Sequence, residues 1–202
     1  EASLLFAELL RRHVRTLTFV RSRRMAELLY VYVRDRLKES APAIAARVAP
    51  YRASYLPEDR RRIERDMFEG RLLGLATTSA MELGVDIGDL DATILTGYPG
   101  SISSTWQQAG RSGRRGERSL SVLIALDNPL DQYLMRHPET FFAKRQESAR
   151  ISPSNPYILK PHLLCAAYEA PLTMDDTEFF GPDLLWYADE LEKDDLVHTR
   201  SG

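Results

Sequence analysis

The chain has one cysteine, Cys165, among its 202 residues, which excludes an internal disulfide and any cysteine-cluster metal site. No apolar run approaches the roughly 18 residues that a membrane-spanning helix requires. The first residues lack the basic and then apolar order of a secretory signal. Together these absences set the expectation of a reduced, cytoplasmic setting with no membrane partner. No nucleophile stands beside a base, and no paired general acid and base stands out. His162 and Cys165 lie at i, i+3 without further ligands, so core packing is expected of them and no metal site is assigned. Internal repeats and low-complexity tracts are also missing.

What is present is 44% hydrophobic and 28% charged, enough for a globular domain with a sizeable core plus an appendage. The formal net charge of -2 conceals an asymmetry. Residues 1–150 carry 24 Lys and Arg against 19 Asp and Glu, whereas residues 151–202 carry 3 against 10. A basic body can approach a polyanion, and the acidic tail is poorly suited to do so over its whole surface. The split predicts a division into 1–150 and 151–202, with Pro153, Pro156 and Pro161 interrupting regular structure near the boundary.

Periodicity predicts an amphipathic helix over 2–13, a buried strand at Thr16–Val20 and a long helix over 24–39. A second strand falls within 44–55, followed by a charged helix that starts at Pro57 with Glu58 and Asp59 in its first turn. Further strands are expected at 72–78, 91–98 and 119–126, separated by a helical turn at Met81–Leu83 and by a helix ahead of Gly110. Ser103, Ser104 or Thr105 is the candidate cap of that last helix. Helices over 128–137 and 139–149 complete the first part. Strand and helix alternate, which predicts an α/β fold with a parallel sheet and helices on both faces. Right-handed crossovers place the segments that come after strands on one edge, and Ser22, Thr78, Asp86 and the loop beyond Tyr98 are expected to cluster there.

The densest chemistry lies in Gln107-Gln108-Ala109-Gly110-Arg111-Ser112-Gly113-Arg114. Arg111 and Arg114 are about one helical turn apart and can share a face. Their guanidinium groups stay charged and offer forked donors suited to phosphate oxygens, while Gly110 and Gly113 remove bulk that would hold another surface away. A solvated basic loop is the plain alternative. Upstream, Arg21-Ser22-Arg23-Arg24 opens a helix after a strand, where backbone N–H groups can receive an anion; the same residues also read as a serine cap beside a basic turn. Trp106 can pack beside the sheet or stack on a base.

Gln107-x-x-Gly110-Arg111-x-Gly113-Arg114 resembles motif VI of the superfamily 2 helicases, and Thr77 through Gly88 resembles their motif V. The wording is closest to the YprA/MrfA and Hrq-type branch, which is similar to the RecQ repair enzymes and carries an extra C-terminal region. The resemblance covers most of the chain and implies the second RecA-like lobe of an ATP-dependent DNA helicase acting in repair. It implies that Arg111 and Arg114 act as arginine fingers on ATP, with Gln107 linking nucleotide state to lobe closure. Asp86 then reaches the ribose hydroxyls, as suits a carboxylate acceptor, with Gly84 freeing the backbone beside it. Thr78, Ser22 and Arg23 meet phosphates of one DNA strand or of a junction. Glu58-x-x-Arg61 stands where many relatives have Gln-x-x-Arg, so only Arg61 carries over as a DNA contact. Asp86 can also simply close a turn, and Arg60–Arg62 can be a solvated face.

No Gly-x-x-x-x-Gly-Lys-Ser/Thr and no acidic box occurs in the chain. The resemblance therefore places the phosphate cradle and the Mg²⁺ carboxylates on an N-terminal RecA-like lobe of the same protein, and the chain by itself is expected to be catalytically inactive. From Asn155 onward the wording resembles the start of the post-lobe region in the Hrq-type proteins. Helices near 161–170, 173–180 and 183–193 are expected to form a partial winged-helix-like module. Two other readings remain open. One is a nucleic-acid binding module that works without ATP; the other is an RNA helicase lobe, against which the glutamine at 107 argues.

Overall fold

The computed structural model describes residues 1–84, 86–113, 118–143, 147 and 151–198. Two compact units are present, Glu1–Glu147 and Ser148–Gly202.

The first unit is built on five strands: β1 (Thr16–Phe19), β2 (Val48–Pro50), β3 (Gly74–Thr77), β4 (Ala92–Thr96) and β5 (Leu120–Ile124). They form one sheet in the order β2-β3-β1-β4-β5, and every pairing is parallel. All four residues of β1 are buried, as expected for a central strand covered on both sides. Alternate side chains divide the strands between two cores. On one face, α1 (Ala2–Arg11), α2 (Arg23–Lys38) and α3 (Pro42–Ala45) bring Phe6, Leu10, Leu29, Val33 and Leu37 against Ala76 and Ile94. On the other, Ile63 and Met67 of α4 (Pro57–Phe68) pack with Leu17, Phe19, Leu75 and Leu95. Adjacent residues such as Leu75 and Ala76 thus serve opposite faces, the period-two rule of a strand.

The helix starts have local causes. Ser22 Oγ accepts the Met25 N–H at 3.2 Å to open α2, and Pro57 at the first position with Glu58 and Asp59 behind it opens α4. Helix α5 (Ile102–Ala109) is capped by Ser101, whose Oγ accepts the Ser104 N–H at 2.9 Å, rather than by Ser103, Ser104 or Thr105. A carboxylate from far along the chain reinforces this end: Glu147 accepts the Ile102 and Ser103 N–H groups at 2.6 and 3.0 Å. Those two backbone donors hold the Glu147 carboxyl below its ordinary range. The connection from β3 to β4 also differs from expectation. Among its described residues the only regular turn is a 3-10 turn at Ser79–Met81, in place of the expected turn at Met81–Leu83, and no helix follows before Leu90. Helices α6 (Pro129–Arg136) and α7 (Glu139–Ala143) come after β5, and most of the rest of the 139–149 expectation lies outside the described residues.

The second unit holds α8 (Pro156–Glu169), a 3-10 turn at Met174–Asp176, α9 (Thr177–Phe180) and α10 (Leu184–Lys193) around Leu159, Leu163, Leu184, Tyr187 and Leu191. Pro156 and Pro161 do not interrupt structure here. Pro156 occupies the first helical position, where its missing N–H is one the helix leaves unbonded anyway. Pro161 lies inside α8 and removes a donor to the carbonyl of Tyr157, a residue 90% exposed to solvent. At Thr173 the N–H donates to Asp176 Oδ2 at 2.6 Å, and Gly181 ends α9 at φ +87°. No strand occurs among the described residues of this unit. No helix among the described residues is long and apolar enough to cross a membrane.

Candidate nucleotide and nucleic-acid interface

The residues singled out from the sequence do not share one edge of the sheet. Ser22 and Arg23 stand where β1 runs into α2, and Thr78 comes directly after β3, so all three lie at the carboxyl ends of the strands. Asp86 belongs to a segment that runs to the opposite ends. The Ile87 carbonyl lies 3.5 Å from Nη2 of Arg15, the residue before β1. The Leu90 carbonyl accepts the Gly113 N–H at 3.1 Å, two residues ahead of β4. The expected clustering of Asp86 with Ser22 and Thr78 is therefore corrected: among the described residues the connection from β3 to β4 holds only the 3-10 turn at Ser79–Met81, and the chain beyond it carries Asp86 down the face.

At the carboxyl edge, Arg23 and Arg61 are exposed and have no ion-pair or hydrogen-bond partner among the described residues. Thr78 is half-buried at the start of the 3-10 turn, and its side chain makes no capping bond. The Ser22 oxygen is used by Met25, so the cap reading is realised, and the residue is exposed. Arg21, next in line, is committed elsewhere. Its Nη2 donates to the Tyr98 carbonyl and to Asp131 Oδ1, both at 3.1 Å.

Asp131 is 1% exposed and ties three loops of this edge together. Its Oδ2 accepts the Tyr98 N–H at 3.1 Å and the Leu126 N–H at 2.8 Å, while Arg21 occupies Oδ1. Burial alone would raise its pKa, but the Leu126 N–H, the Asn128 side chain, the Tyr98 N–H and Arg21 outweigh it and hold the carboxyl below its ordinary 3.8. The loops so pinned border a cleft of about 420 Å³ lined by Arg21, Ser79, Glu82, Tyr98, Ser104 and Gln108, among others.

Glu82 joins the two motifs. Its carboxylate accepts the Ser104 hydroxyl at 2.5 Å through Oε1 and the Gln108 side-chain amide at 2.9 Å through Oε2. Its main-chain carbonyl accepts Arg111 Nη2. Arg111 is 8% exposed, so its guanidinium sits in the seam between the motif V segment and the end of α5. With the Leu90 to Gly113 bond, the segment from Glu82 to Leu90 is fastened to motif VI at both ends. Between those staples Gly84 takes φ +75°, and Asp86 is exposed with Oδ1 accepting the Gly88 N–H at 3.1 Å. Gln107 is exposed and has no hydrogen-bond partner among the described residues. Arg114 lies outside the described residues. Trp106 packs edge-on to Phe142 with centroids 5.7 Å apart. Among the described residues no group of three or more His, Cys, Asp or Glu side chains is placed to hold a metal ion.

Glu82, Asp131 and Arg15 were missed by reading the sequence. Asp131 left a faint signal as an acid in the first turn of a helix opened by Asn128-Pro129. Glu82 and Arg15 left none, since their partners lie far along the chain.

A parallel sheet in this order, with motif V and motif VI fastened together beside its face, defines a RecA-like lobe of the superfamily 2 helicase type. The helicase conserved C-terminal domain matches residues 2–116, so the chain belongs to that family, within which it is of the YprA/MrfA/Hrq1 type. The winged helix domain of ATP-dependent helicase HRQ1 matches residues 151–202. The chain is 45% identical over 202 residues to the uncharacterized ATP-dependent helicase YprA of Bacillus subtilis, covering 100% of this chain and 26% of that protein. It is 41% identical over 183 residues to ATP-dependent helicase hrq1 of Schizosaccharomyces pombe, covering 90% of this chain and 17% of that one. The crystal structure of the DUF1998 helicase MrfA bound to DNA and AMPPNP superposes with a TM-score of 0.85 at 45% identity, over 99% of this chain and 28% of that chain. The chain thus spans about a quarter of these proteins or less.

Proposed function

We propose that this chain is the second lobe of an ATP-dependent DNA helicase of the repair type, supplying arginine fingers to ATP held on an N-terminal RecA-like lobe of the same protein. The observation that carries the reading is the double staple at Glu82 and Leu90, which makes the segment bearing Asp86 and the segment bearing Arg111 one body. A body that presents a carboxylate and guanidinium groups together suits a nucleoside triphosphate, whose ribose needs acceptors and whose phosphates need donors. Arg111 rests on the Glu82 carbonyl and exchanges that acceptor for phosphate oxygens when the other lobe presents them. Arg114, three residues further along motif VI, supplies the second guanidinium. Gln107, exposed on the last turn of α5, senses the closure. Mg²⁺ belongs to carboxylates of the other lobe.

The carboxyl edge grips one DNA strand. Ser22, Arg23, Arg61 and Thr78 offer hydroxyl and guanidinium donors without sequence-reading geometry, the pattern expected of backbone contacts in a motor that must pass every sequence. Opening and closing of the lobes then converts hydrolysis into movement along that strand.

Two experiments test this. The 202-residue chain alone is expected to hydrolyse no ATP above background, whereas the same chain joined to its N-terminal lobe shows DNA-stimulated turnover. Hydrolysis by the isolated chain would refute the division of labour. Fluorescence anisotropy with a single-stranded oligonucleotide should show weak, salt-sensitive binding to the chain, lost in the Arg23→Glu, Arg61→Glu double variant. Unchanged binding by that variant at low salt would remove the carboxyl edge from the DNA path.

A further inference from the structure

We infer that Arg15 is a positioning residue that holds the turn Asp86–Gly88 against the foot of α4 and so links the DNA edge to the nucleotide turn; this rests on the function proposed above. Arg15 precedes β1, and its side chain reaches across the sheet ends. Its Nη2 donates to the Met67 carbonyl in the last turn of α4 and faces the Ile87 carbonyl at 3.5 Å. The first of these is a favourable place for a cation, since the carboxyl end of a helix carries partial negative charge.

Packing brings the same two elements together independently. Gly88 takes φ +75°, and a Cβ there would meet the Phe68 carbonyl oxygen at 3.2 Å and its Cα at 3.3 Å. The turn therefore lies directly against the end of α4. Asp86 is bound to this contact through the Gly88 N–H. The Arg15 backbone is locked as well: its N–H donates to Asp91 Oδ2 at 2.7 Å, and its carbonyl accepts the Asp91 and Ala92 N–H groups at 3.0 Å. The guanidinium is thus carried on a fixed base.

Helix α4 starts after β2 at the carboxyl edge, where Arg61 is exposed, and ends at the opposite edge beside Gly88. Its twelve residues span about 18 Å. A displacement of α4 by the DNA backbone is passed by this rod to Phe68 and Met67, and Arg15 obliges Ile87, and with it Asp86, to move in step. A helix is stiff along its axis, and one terminal guanidinium nitrogen shared between the two carbonyls leaves the turn little independent motion. The route requires no contact between Arg15 and either ligand.

The test uses the full-length protein with Arg15→Lys, Arg15→Gln and Asp86→Asn, singly and combined. A lysine keeps the charge at the helix end but replaces the longer, rigid planar guanidinium with a shorter, freely rotating ammonium. Arg15→Lys is expected to raise the KM for ATP about fivefold or more at saturating DNA with kcat within about twofold, and Arg15→Gln to raise it further. Adding Arg15→Lys to Asp86→Asn is expected to cost nothing more, because both act through one turn. A purely structural residue would lower the melting temperature and the active fraction while leaving KM unmoved, so an unchanged KM in Arg15→Lys and Arg15→Gln overturns the inference. Multiplicative effects of Arg15→Lys and Asp86→Asn overturn it too. If Asp86→Asn itself leaves KM unchanged, the reading of Asp86 as the ribose contact fails along with it; if only the Arg15 variants are silent, that reading stands and the link alone is lost.

Discussion

Replacing Arg111 by alanine in the full-length protein is expected to lower kcat for ATP hydrolysis by about a thousandfold or more, the contribution typical of an arginine finger. Arg114→Ala is expected to cost a similar factor. The two variants should differ in a second property. Arg111 is 8% exposed and donates to the Glu82 carbonyl, so its removal leaves a carbonyl and a volume in the seam between motif V and α5 without their partner. A loss of about 1–3 kcal/mol in urea unfolding of the 202-residue chain is expected for Arg111→Ala. Arg111→Lys restores little of the rate, because one ammonium cannot reproduce the planar fork that two oxygens require. Near-normal kcat in both alanine variants would remove these guanidinium groups from the reaction.

Asp131→Ala is expected to be the most destabilising polar substitution at the carboxyl edge, by about 2–4 kcal/mol. The loss comes chiefly from the Tyr98 and Leu126 N–H groups, which no longer have an acceptor, since Arg21 on the other side is about half exposed and can turn to water. Asp131→Asn should recover part of this, because its amide oxygen in the place of Oδ2 can still accept both backbone donors, while its NH2 group then faces Arg21. The pH dependence has a definite sign. The folded pKa of Asp131 lies below its ordinary 3.8, so the stabilisation is complete above the unfolded value and disappears as pH falls through the folded one. Between neutral pH and about pH 3 the wild-type chain should therefore lose stability that Asp131→Asn does not lose. Parallel urea titrations of both proteins at several pH values check this, and a constant difference between them across that range would contradict it.

Much of the fold was legible because its signals are local. Thr16–Phe19 is a strand by composition and Pro57 with two acids starts a helix by local chemistry. The alternation of such elements leaves few topologies open. Motif VI was legible in the same way, since Arg111 and its flanking glycines are contiguous. What failed depended on partners distant in sequence. The choice of Ser101 over its neighbours as the α5 cap, and the reinforcement by Glu147, come from how that helix meets the rest of the chain. Pro161 was misjudged for another reason: a proline interrupts a helix only when the lost donor matters, and Tyr157 at the other end is exposed to water.

By itself the sequence determined an α/β lobe with a parallel sheet, the identity of two helicase motifs, and the basic and acidic halves of the chain. All three are properties of neighbouring residues, which carry propensity, spacing and charge without knowledge of the fold. Tertiary structure alone decided that the candidate DNA contacts and the candidate nucleotide turn at Asp86 lie at opposite ends of the strands, and that Glu82, Arg15 and Asp131 hold those regions in place. These three reach Ser104, Ile87 and Tyr98, which lie 22, 72 and 33 residues away. A side chain's partner at such a separation is set by the path of the whole backbone, which no local pattern encodes.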